Sequence, residues 1–444
     1  MLSTATNNIV KTNTYSQKDS VKYVIIMCVV FSALIFGRVA SDAVLCVFVA
    51  VSLLVFLFSS VSHCFSLLLF LLPLAPILKV DINGMSFFTI LFFVFVLKMI
   101  VSKRMINANV FISLFMFAFY ACCFSGFGQI TTIVTMILGM LMIYYLRIVE
   151  VNIDLSILVF SFGIIVSSIL ASLKEVFPIV NTFVANSALR LDSEHYAARF
   201  SGLQGNPNYY TLDIIMALAV ILVLMYRKSA KPVYISCFVV LSVFGLMSVS
   251  KSFLICWVLL IVCWFILSVY QGVGKFCKFL MIVIICSVAI YLCAYDSINT
   301  YIFRLVNDNS GSLESITTGR TGLWKSYIDA ILNDAKILFL GNGLNTTISS
   351  GRGAHNTFLE SLFSLGFAGS GLLLISIKSC MGKYRFKAIM LIPIITLVIR
   401  MIAIGILTYD NLWYYLAIIA CLFKYLESTE SEAQNEKVYR VDNI

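Results

Sequence analysis

The class of fold follows from stretches such as residues 253–270, FLICWVLLIVCWFILSVY, which contain no charged residue. The hydrocarbon core of a bilayer is about 30 Å thick, and an α-helix needs roughly 20 apolar residues to cross it. Backbone polar groups inside a bilayer must pair within the chain, so a spanning segment is a helix or part of a closed barrel. These unbroken runs lack the short alternation of barrel strands. They therefore predict membrane-spanning helices.

The composition of the whole chain agrees with this interpretation. Of its 444 residues, 61% are hydrophobic and 12% are charged, and the mean hydropathy is +1.00. That leaves too little polar surface to cover a soluble particle of this mass. The three histidines argue against a multi-histidine metal centre, and the 13 cysteines, scattered through apolar runs, argue against a disulfide scaffold. The sequence thus predicts an all-α polytopic integral membrane protein without a metal or a cofactor.

The length that a helix needs to cross the bilayer predicts about 12 to 14 transmembrane helices, and the upper figure counts every apolar run. The predicted spans are 22–37, 43–59, 63–78, 86–102, 108–124, 129–147, 154–173, 210–226, 233–249, 253–270, 276–295, 357–377, 386–406 and 409–425. They divide the chain into a tail (1–21), N-terminal spans (22–173), a first long loop (174–209), central spans (210–295), a second long loop (296–356), C-terminal spans (357–425) and a second tail (426–444).

Orientation is predicted from the basic residues. If the loops alternate from a cytoplasmic N-terminus, most of the 31 lysines and arginines fall on the cytoplasmic side. Both termini are then cytoplasmic, and the long loops 174–209 and 296–356 lie on the outer face. On this interpretation the net charge of +10 reflects the basic residues of the cytoplasmic side and does not indicate a nucleic-acid partner. The short cytoplasmic connections carry no phosphate-binding loop, so use of ATP by this chain is not predicted.

The first long loop ends in residues 199–208, RFSGLQGNPN, directly before an apolar run. This pattern is typical of a helix start, because Asn206 can cap free amide groups and Pro207 suits the first turn. A helix N-terminus with Arg199 close by is a candidate site for phosphate or diphosphate. An ordinary capped helix with an interfacial arginine explains the same residues equally well.

The second long loop contains Gly319-Arg320 and then an amphipathic stretch. One helical face of that stretch carries Leu323, Trp324, Tyr327, Ile328, Ile331 and Leu332. Such a short interfacial helix is predicted to lie flat on the membrane, with Trp324 at the headgroup level and Arg320 among lipid phosphates. The alternative is an arginine that only extends to the interface and has no chemical task.

Histidine 355 stands at the mouth of the next predicted span, beside Asn356. A histidine facing a wet cleft can accept a proton from a sugar hydroxyl near neutral pH. Its position supports a catalytic role, because His355 is predicted to lie on the same outer face of the membrane as Arg199 and Arg320. A plain surface histidine is the alternative.

Two further cations lie at unusual depth. Lys251 falls at the junction of two predicted spans, and Arg400 falls inside another. Charges at such depth are costly and are usually paired or functional. For Arg400, a structural ion pair with Asp410 is favoured over a functional role.

Taken in order, these segments resemble the O-antigen ligase/polymerase superfamily. The motifs that carry the resemblance are Gly202-x-x-Gly-Asn206-Pro-Asn208, Ser-x-Ser-Lys251-Ser, Gly-Arg320-x-x-x-Trp324, Gly-x-Gly343 and Ala-His355-Asn356-x-x-Leu-Glu. They span residues 199–377, whereas the N-terminal spans match only in hydropathy. One position departs from the pattern: Lys251 stands where many members have arginine, and a lysine lacks the two-pronged guanidinium geometry.

The resemblance implies an inverting, metal-independent membrane glycosyltransferase at the outer face of the bacterial plasma membrane. Its donor would be a glycan on undecaprenyl diphosphate, and its other partners would be membrane lipids and a chain-length-regulating protein. Arg199 and Arg320, with Lys251 in support, would hold the diphosphate, and His355 would orient or deprotonate the acceptor hydroxyl. The further substrate-binding residues implied by the resemblance are Asn206, Asn208, Asn356, Trp324, Arg190 and Arg400.

Within this superfamily the sequence favours a polymerase of O-antigen or capsular polysaccharide, which adds the growing chain to one lipid-linked repeat unit. A ligase that transfers the glycan to lipid A-core shares the donor chemistry and is the first alternative. A flippase for lipid-linked oligosaccharides is the alternative from another class. A flippase is expected to carry polar groups deep in many spans, and here the polar residues are concentrated in two loops.

Overall fold

The computed structural model describes residue 29 and residues 42–79, 86–103, 105–173, 188–190, 196–228, 231–307, 320–348 and 351–441. The α-helices among them are α1 (Asp42–Phe58), α2 (Val61–Leu71), α3 (Phe87–Lys103), α4 (Ala108–Ser125), α5 (Ile130–Ile148), α6 (Ile153–Ser172), α7 (Pro207–Lys228), α8 (Pro232–Met247), α9 (Lys251–Tyr270), α10 (Val273–Asn307), α11 (Arg320–Asn333), α12 (Ala335–Leu340), α13 (Thr357–Met381), α14 (Leu391–Ala403) and α15 (Asp410–Val441). Short 3-10 helices cover Leu72–Leu78, Phe127–Gln129, Gly202–Gln204 and Ala388–Met390.

Length and apolar composition identify the helices that can cross a membrane. In the part of the chain that the structure describes, eight helical segments meet both criteria. Four further apolar helices are shorter: Val47–Phe58, Phe87–Ser102, Pro232–Met247 and Ala388–Ala403. The chain is therefore an all-α polytopic membrane protein. Every predicted span from residue 43 onward overlaps a helix, and the predicted span 22–37 lies outside the described residues apart from residue 29.

Several helices run beyond the predicted spans. Helix α10 continues past residue 295 to Asn307, with a break at Ala294 (φ −130°, ψ 19°), and α15 continues through the predicted tail to Val441. Hydropathy alone cannot locate the end of α15, because lysine, glutamate and glutamine are also good helix formers. Conversely, α14 ends at Ala403, before the predicted limit of 406.

The chain divides into two compact units, residues 1–59 and 60–444. The described part of the first unit is α1 with the residues that follow it. The second unit contains every other described element, including all the candidate site residues discussed below.

Helix α7 forms the centre of the second unit. Its residues from Leu212 to Leu224 are all buried, and it packs against α6, α8, α9 and α14. A helix that is apolar on every side is stable only when other apolar groups surround it. By contrast, α9 and α10 each expose a broad apolar face, as helices that contact lipid do.

The first long loop contains a small β-element. Strand β1 (Ala188–Arg190) pairs antiparallel with β2 (Tyr196–Ala198), and Arg190 lies opposite Tyr196. The backbone groups of these two segments pair between strands instead of along a helix. In the second long loop, the predicted amphipathic helix is α11.

Candidate functional site

One buried arginine ties together the ends of three helices. Arg400, in α14, is 0% exposed. Its guanidinium donates hydrogen bonds to the Ser252 hydroxyl in α9 and, in α7, to the Asn208 carbonyl oxygen and the Thr211 hydroxyl. Its Nε atom has no hydrogen-bond partner among the described residues. Because a buried charge is costly without such bonds, Arg400 holds the starts of α7 and α9 against α14.

The predicted ion pair between Arg400 and Asp410 is wrong. The hydrogen bonds of the guanidinium in the described structure all go to uncharged oxygen atoms on α7 and α9. Asp410 begins α15, after the non-helical segment 404–409. That segment interrupts the helix, so proximity along the sequence does not bring the carboxylate to the guanidinium.

Asn208 connects the same helices a second time. Its Oδ1 atom accepts a hydrogen bond from the Ser250 hydroxyl at 2.9 Å, and its backbone N–H donates to Asn206 Oδ1 at 2.9 Å. The predicted helix start at Asn206-Pro207 is confirmed, since α7 begins at Pro207. Tyr301, in α10, donates its hydroxyl to the Ser250 carbonyl oxygen at 3.1 Å. The Asn206 side-chain oxygen therefore caps the backbone at the start of α7, whereas the Asn208 side-chain oxygen binds the Ser250 side chain before α9.

Arg199 lies beside this junction. Its Nε atom donates to the Ser248 carbonyl oxygen at 3.1 Å, and the neighbouring Phe200 N–H donates to the Met247 carbonyl oxygen at 3.3 Å. These bonds fix the chain before α7 to the end of α8. Lys251 follows four residues after this end, as the first residue of α9, and is half-buried.

Arg320 begins α11 and reaches the end of α14. Its Nη1 atom donates to the carbonyl oxygen of Ala403 at 2.5 Å. Ala403 is the last residue of α14 and follows Arg400 by less than one helical turn. The structure thus brings the predicted residues Arg320 and Arg400 to the same helix end. The Ser-Ile-Thr-Thr-Gly319 sequence before Arg320 lies outside the described residues.

His355 is held by contacts of the two residues beside it. The Ala354 carbonyl oxygen accepts a hydrogen bond from the Trp324 indole at 3.0 Å. The Asn356 side chain caps α13 by accepting from the N–H groups of Phe358 and Leu359 at 3.0 and 3.2 Å. Asn356 therefore acts through the helix cap, and Trp324 ties α11 to the backbone before His355.

The backbone and the electrostatic surroundings of His355 are both unusual. Its φ angle is 49°, in the left-handed region that non-glycine residues rarely adopt. The imidazole is exposed, yet partial desolvation lowers its pKa below the ordinary 6.5, and the positive charge of Arg320 lowers that pKa further. Both causes favour the neutral imidazole, which can accept a proton at neutral pH.

A cavity of about 200 Å³ opens beside His355. The side chains that line it include Tyr209, Tyr327, Asn345, Thr346, His355 and Glu360. Its aromatic wall is held firmly: the Tyr209 ring stacks on Tyr409 with 4.2 Å between centroids, and the Tyr209 hydroxyl donates to the Gly405 carbonyl oxygen at 2.9 Å. The cavity thus combines aromatic, amide, hydroxyl and carboxyl groups.

The amphipathic helix α11 packs on the protein with part of its predicted apolar face. Tyr327 and Ile331 are buried against Ala354 and Phe363. Ile328 and Leu332, predicted for the same face, are 42% and 65% exposed. The helix therefore divides its apolar residues between the protein and the outside.

A buried polar cluster that the sequence did not predict surrounds Asp213 in α7. The Asp213 carboxylate accepts hydrogen bonds from the Asn411 amide at 2.7 Å, the Gln204 amide at 3.2 Å and the Tyr415 hydroxyl. A lone carboxylate within an apolar run was the signal that could have identified it. Tyr209, Tyr409 and Gly405 carry no comparable signal, because only the folded chain brings them together.

Some predicted features cannot be placed at a site. Arg190 is described only as a backbone position in β1, and its side chain lies outside the described residues. Among the described residues, no group of three or more histidine, cysteine, aspartate or glutamate side chains is placed to hold a metal ion.

Comparison of this chain with protein-family models, with curated proteins and with solved structures finds no significant match. The resemblance to the O-antigen ligase/polymerase superfamily stays a prediction from the motifs.

Proposed function

We propose that this protein is a membrane glycosyltransferase that polymerises O-antigen or capsular polysaccharide from a polyprenyl-diphosphate-linked donor. The observation that carries the proposal is the meeting of Arg320 and Arg400 at the end of α14, where the positive charge of Arg320 also lowers the pKa of His355 beside a polar cavity. Cations suit a diphosphate, and a neutral imidazole suits a sugar hydroxyl.

The proposed reaction is a direct displacement at the anomeric carbon of the donor. The acceptor hydroxyl attacks that carbon, and its proton passes to His355. The bond from the anomeric carbon to the phosphate oxygen breaks, and its electron pair stays on the leaving diphosphate. Arg320, with Arg199 and Lys251 in support, offsets the charge that develops on the leaving group. Because diphosphate is a good leaving group, the reaction needs no nucleotide and no metal ion.

The resemblance also supplies the proposed setting. The site would face the outer side of a bacterial plasma membrane, with both termini in the cytoplasm. The distribution of lysines and arginines along the chain supports this orientation. The donor would be an undecaprenyl-diphosphate glycan, and a chain-length-regulating protein would be a partner of the enzyme.

The acceptor distinguishes the polymerase from a ligase. Both enzymes use the same donor chemistry, so Arg320 and His355 fit either one. A polymerase passes the chain to a lipid-linked repeat unit, whereas a ligase passes it to lipid A-core. We propose the polymerase, and the ligase is a defined alternative outcome of the experiment below.

The test is a gel of surface glycan and of lipid-linked glycan from a deletion strain, complemented with wild type, His355→Ala or Glu150→Gln. Glu150 is an exposed residue between α5 and α6 and provides a matched control. We expect the deletion and His355→Ala to leave single repeat units and no ladder, with normal levels of the variant in the membrane. Long polymer that accumulates only on the lipid carrier would identify a ligase. A ladder that survives the deletion would exclude both enzymes and favour a transporter.

A further inference from the structure

The cavity beside His355 is small. Its volume of about 200 Å³ lies below the roughly 300–1,000 Å³ that drug-sized ligands occupy. A lipid tail, a lipid A-core or several sugar units would not fit inside it. A single sugar ring is a ligand of suitable size.

The lining of the cavity matches the two kinds of surface that a sugar presents. The half-buried ring of Tyr209 offers a flat apolar surface for the C–H face of a pyranose, and the buried Tyr327 forms another part of the wall. The Asn345 amide nitrogen donates to Gln129 and Thr132, and the Thr346 hydroxyl donates to the Gly343 carbonyl oxygen, so the side-chain oxygens of Asn345 and Thr346 are left to accept hydrogen bonds from sugar hydroxyls. Thr347 adds a further hydroxyl group. The Tyr327 hydroxyl itself donates to the Arg352 carbonyl oxygen at 2.8 Å, which fixes its ring in the wall.

Among the described residues that line this cavity, Glu360 is the only one with a carboxylate. Its Oε2 atom is shielded from solvent and has no hydrogen-bond partner among the described residues. Buried polar atoms in folded proteins are nearly always paired, so an unpaired one at a cavity wall calls for a donor from a ligand or from water. A sugar hydroxyl is such a donor.

Gly405 leaves room for this carboxylate. A Cβ atom built at residue 405 would lie 2.5 Å from Glu360 Oε2, which is closer than non-bonded atoms approach. The Gly405 backbone is itself fixed, because its carbonyl oxygen accepts the Tyr209 hydroxyl. The absence of a side chain at residue 405 therefore sets where the carboxylate can lie.

We propose that this cavity binds one monosaccharide unit of the acceptor, and that Glu360 recognises it by accepting a hydrogen bond from a sugar hydroxyl. The inference rests on the proposed glycosyltransferase function and adds an acceptor subsite to it. In this arrangement Glu360 positions the acceptor, and His355, at the same cavity, receives the proton. Glu360 is thus a positioning residue and His355 the base.

Two variants of different kinds test the role of Glu360. Glu360→Gln keeps the shape of the side chain and removes its charge. Gly405→Ala keeps the carboxylate and forces it to move. Glu150→Gln is the matched control for the first change. Arg320 does not line the cavity, so Arg320→Ala is expected to lose activity while it keeps acceptor binding, and it serves as the second control. The thermal midpoint of each purified variant reports whether it is folded.

The probe is the free repeat-unit oligosaccharide, released by mild acid from the lipid-linked glycan of the deletion strain. Its binding to the full-length protein in lipid nanodiscs is followed by saturation-transfer NMR. We expect the Kd to rise about tenfold in Glu360→Gln and in Gly405→Ala, and to stay at the wild-type value in Glu150→Gln and Arg320→Ala. In turnover assays Glu360→Gln should raise the acceptor KM more than it lowers kcat.

Each other outcome has a definite meaning. If wild type binds the oligosaccharide and both cavity variants bind it equally well, the subsite assignment is wrong while the proposed function stands. If wild type makes polymer but does not bind the free oligosaccharide at millimolar concentration, the assignment is also overturned. The glycan ladder of the deletion strain decides the proposed function independently.

Discussion

The Nη1 atom of Arg320 lies 2.5 Å from the carbonyl oxygen of Ala403, the last residue of α14. Carbonyl groups in the last turn of a helix lack partners within the helix, and a cation there also meets the negative end of the helix dipole. Arg400, in the same turn, binds α7 and α9. One short helix therefore holds both guanidinium groups, and a shift of α14 would move both.

Replacement of Arg320 tests the proposed diphosphate site. Loss of one preorganised donor to a developing negative charge lowers kcat by about 10²- to 10³-fold, and we expect this loss for Arg320→Ala. Arg320→Lys keeps the charge without the planar fork, so its activity should lie between wild type and Arg320→Ala. The measurement is the rate of polymer formation by purified protein, normalised to the amount of folded protein.

The control for this change is Arg352→Ala. Arg352 is exposed in the segment before His355, and its backbone carbonyl, which binds Tyr327, survives the substitution. We expect nearly wild-type activity. If Arg320→Ala also retains full activity, Arg320 is not part of the diphosphate site.

Replacement of Arg400 should lower the stability of the protein, and any loss of activity should follow from that. Arg400→Ala leaves the Asn208 carbonyl and the Thr211 and Ser252 hydroxyls without their cationic donor in a dry region. A buried acceptor left without its donor typically costs about 1–3 kcal/mol. We expect a lower thermal midpoint in detergent and less protein in the membrane than for Arg320→Ala. Equal stability of the two variants would show that Arg400 does not tie α14 to α7 and α9.

Much of the fold could be predicted from the sequence, because long apolar runs in a bilayer can only be helices. The span predicted at 253–270 corresponds to α9, Lys251–Tyr270. The ends were harder to predict where polar residues continue the helix, as in α10 and α15. The predicted count of about 12 to 14 spans exceeds the eight helices that are long enough among the described residues, since several runs fold as shorter helices.

The residues of the candidate site were predictable one at a time, but their partners were not. His355 and Arg320 lie near the boundaries of apolar runs and Arg400 lies inside one, so all three are visible in the sequence. The contact of Asn208 with Ser250, or of Tyr209 with Gly405, joins positions far apart in the chain. The failed Arg400–Asp410 prediction has the same origin, because it took nearness along the chain for nearness in space.

The lowered pKa of His355 predicts a pH dependence. If the neutral imidazole is the active form, activity falls as the pH drops through the His355 pKa, which lies below the ordinary 6.5. The enzyme should therefore keep its activity to a more acidic pH than an unperturbed histidine would allow. Arg320→Gln removes the smaller of the two causes, so the His355 pKa should rise but should not pass the ordinary value.

The measurement for His355 is an NMR titration of the histidine-labelled protein. The chain has three histidines, and His355→Gln assigns the relevant signal by its disappearance. This readout does not need an active enzyme, so Arg320→Gln can be compared directly with wild type. An unchanged His355 pKa in Arg320→Gln would mean that the two side chains do not interact.

Gly366 is expected to control the position of the cavity through the bend in α13. Its φ of 62° breaks the helix, and a Cβ atom there would lie 2.5 Å from the carbonyl carbon of Phe339 and 2.6 Å from the Gly341 amide. The Tyr120 hydroxyl reinforces this contact by donating to the carbonyl oxygens of Leu340 and Leu365 at 2.9 and 3.0 Å. The segment that follows Gly341 supplies Asn345 and Thr346 to the cavity.

Gly366→Ala should therefore be destabilising, by about 1–3 kcal/mol from the backbone strain alone, with a further cost from the close contact. Gly371→Ala, in the same helix, is the matched control, since nothing lies within 4 Å of its Cβ position. Alanine there should be neutral or mildly stabilising, because glycine is the poorer helix former. Thermal unfolding in detergent compares the two variants, and acceptor binding reports on the cavity. If both variants unfold at the wild-type temperature, the bend at Gly366 does not fix α12 against α13, and the cavity wall must depend on other contacts.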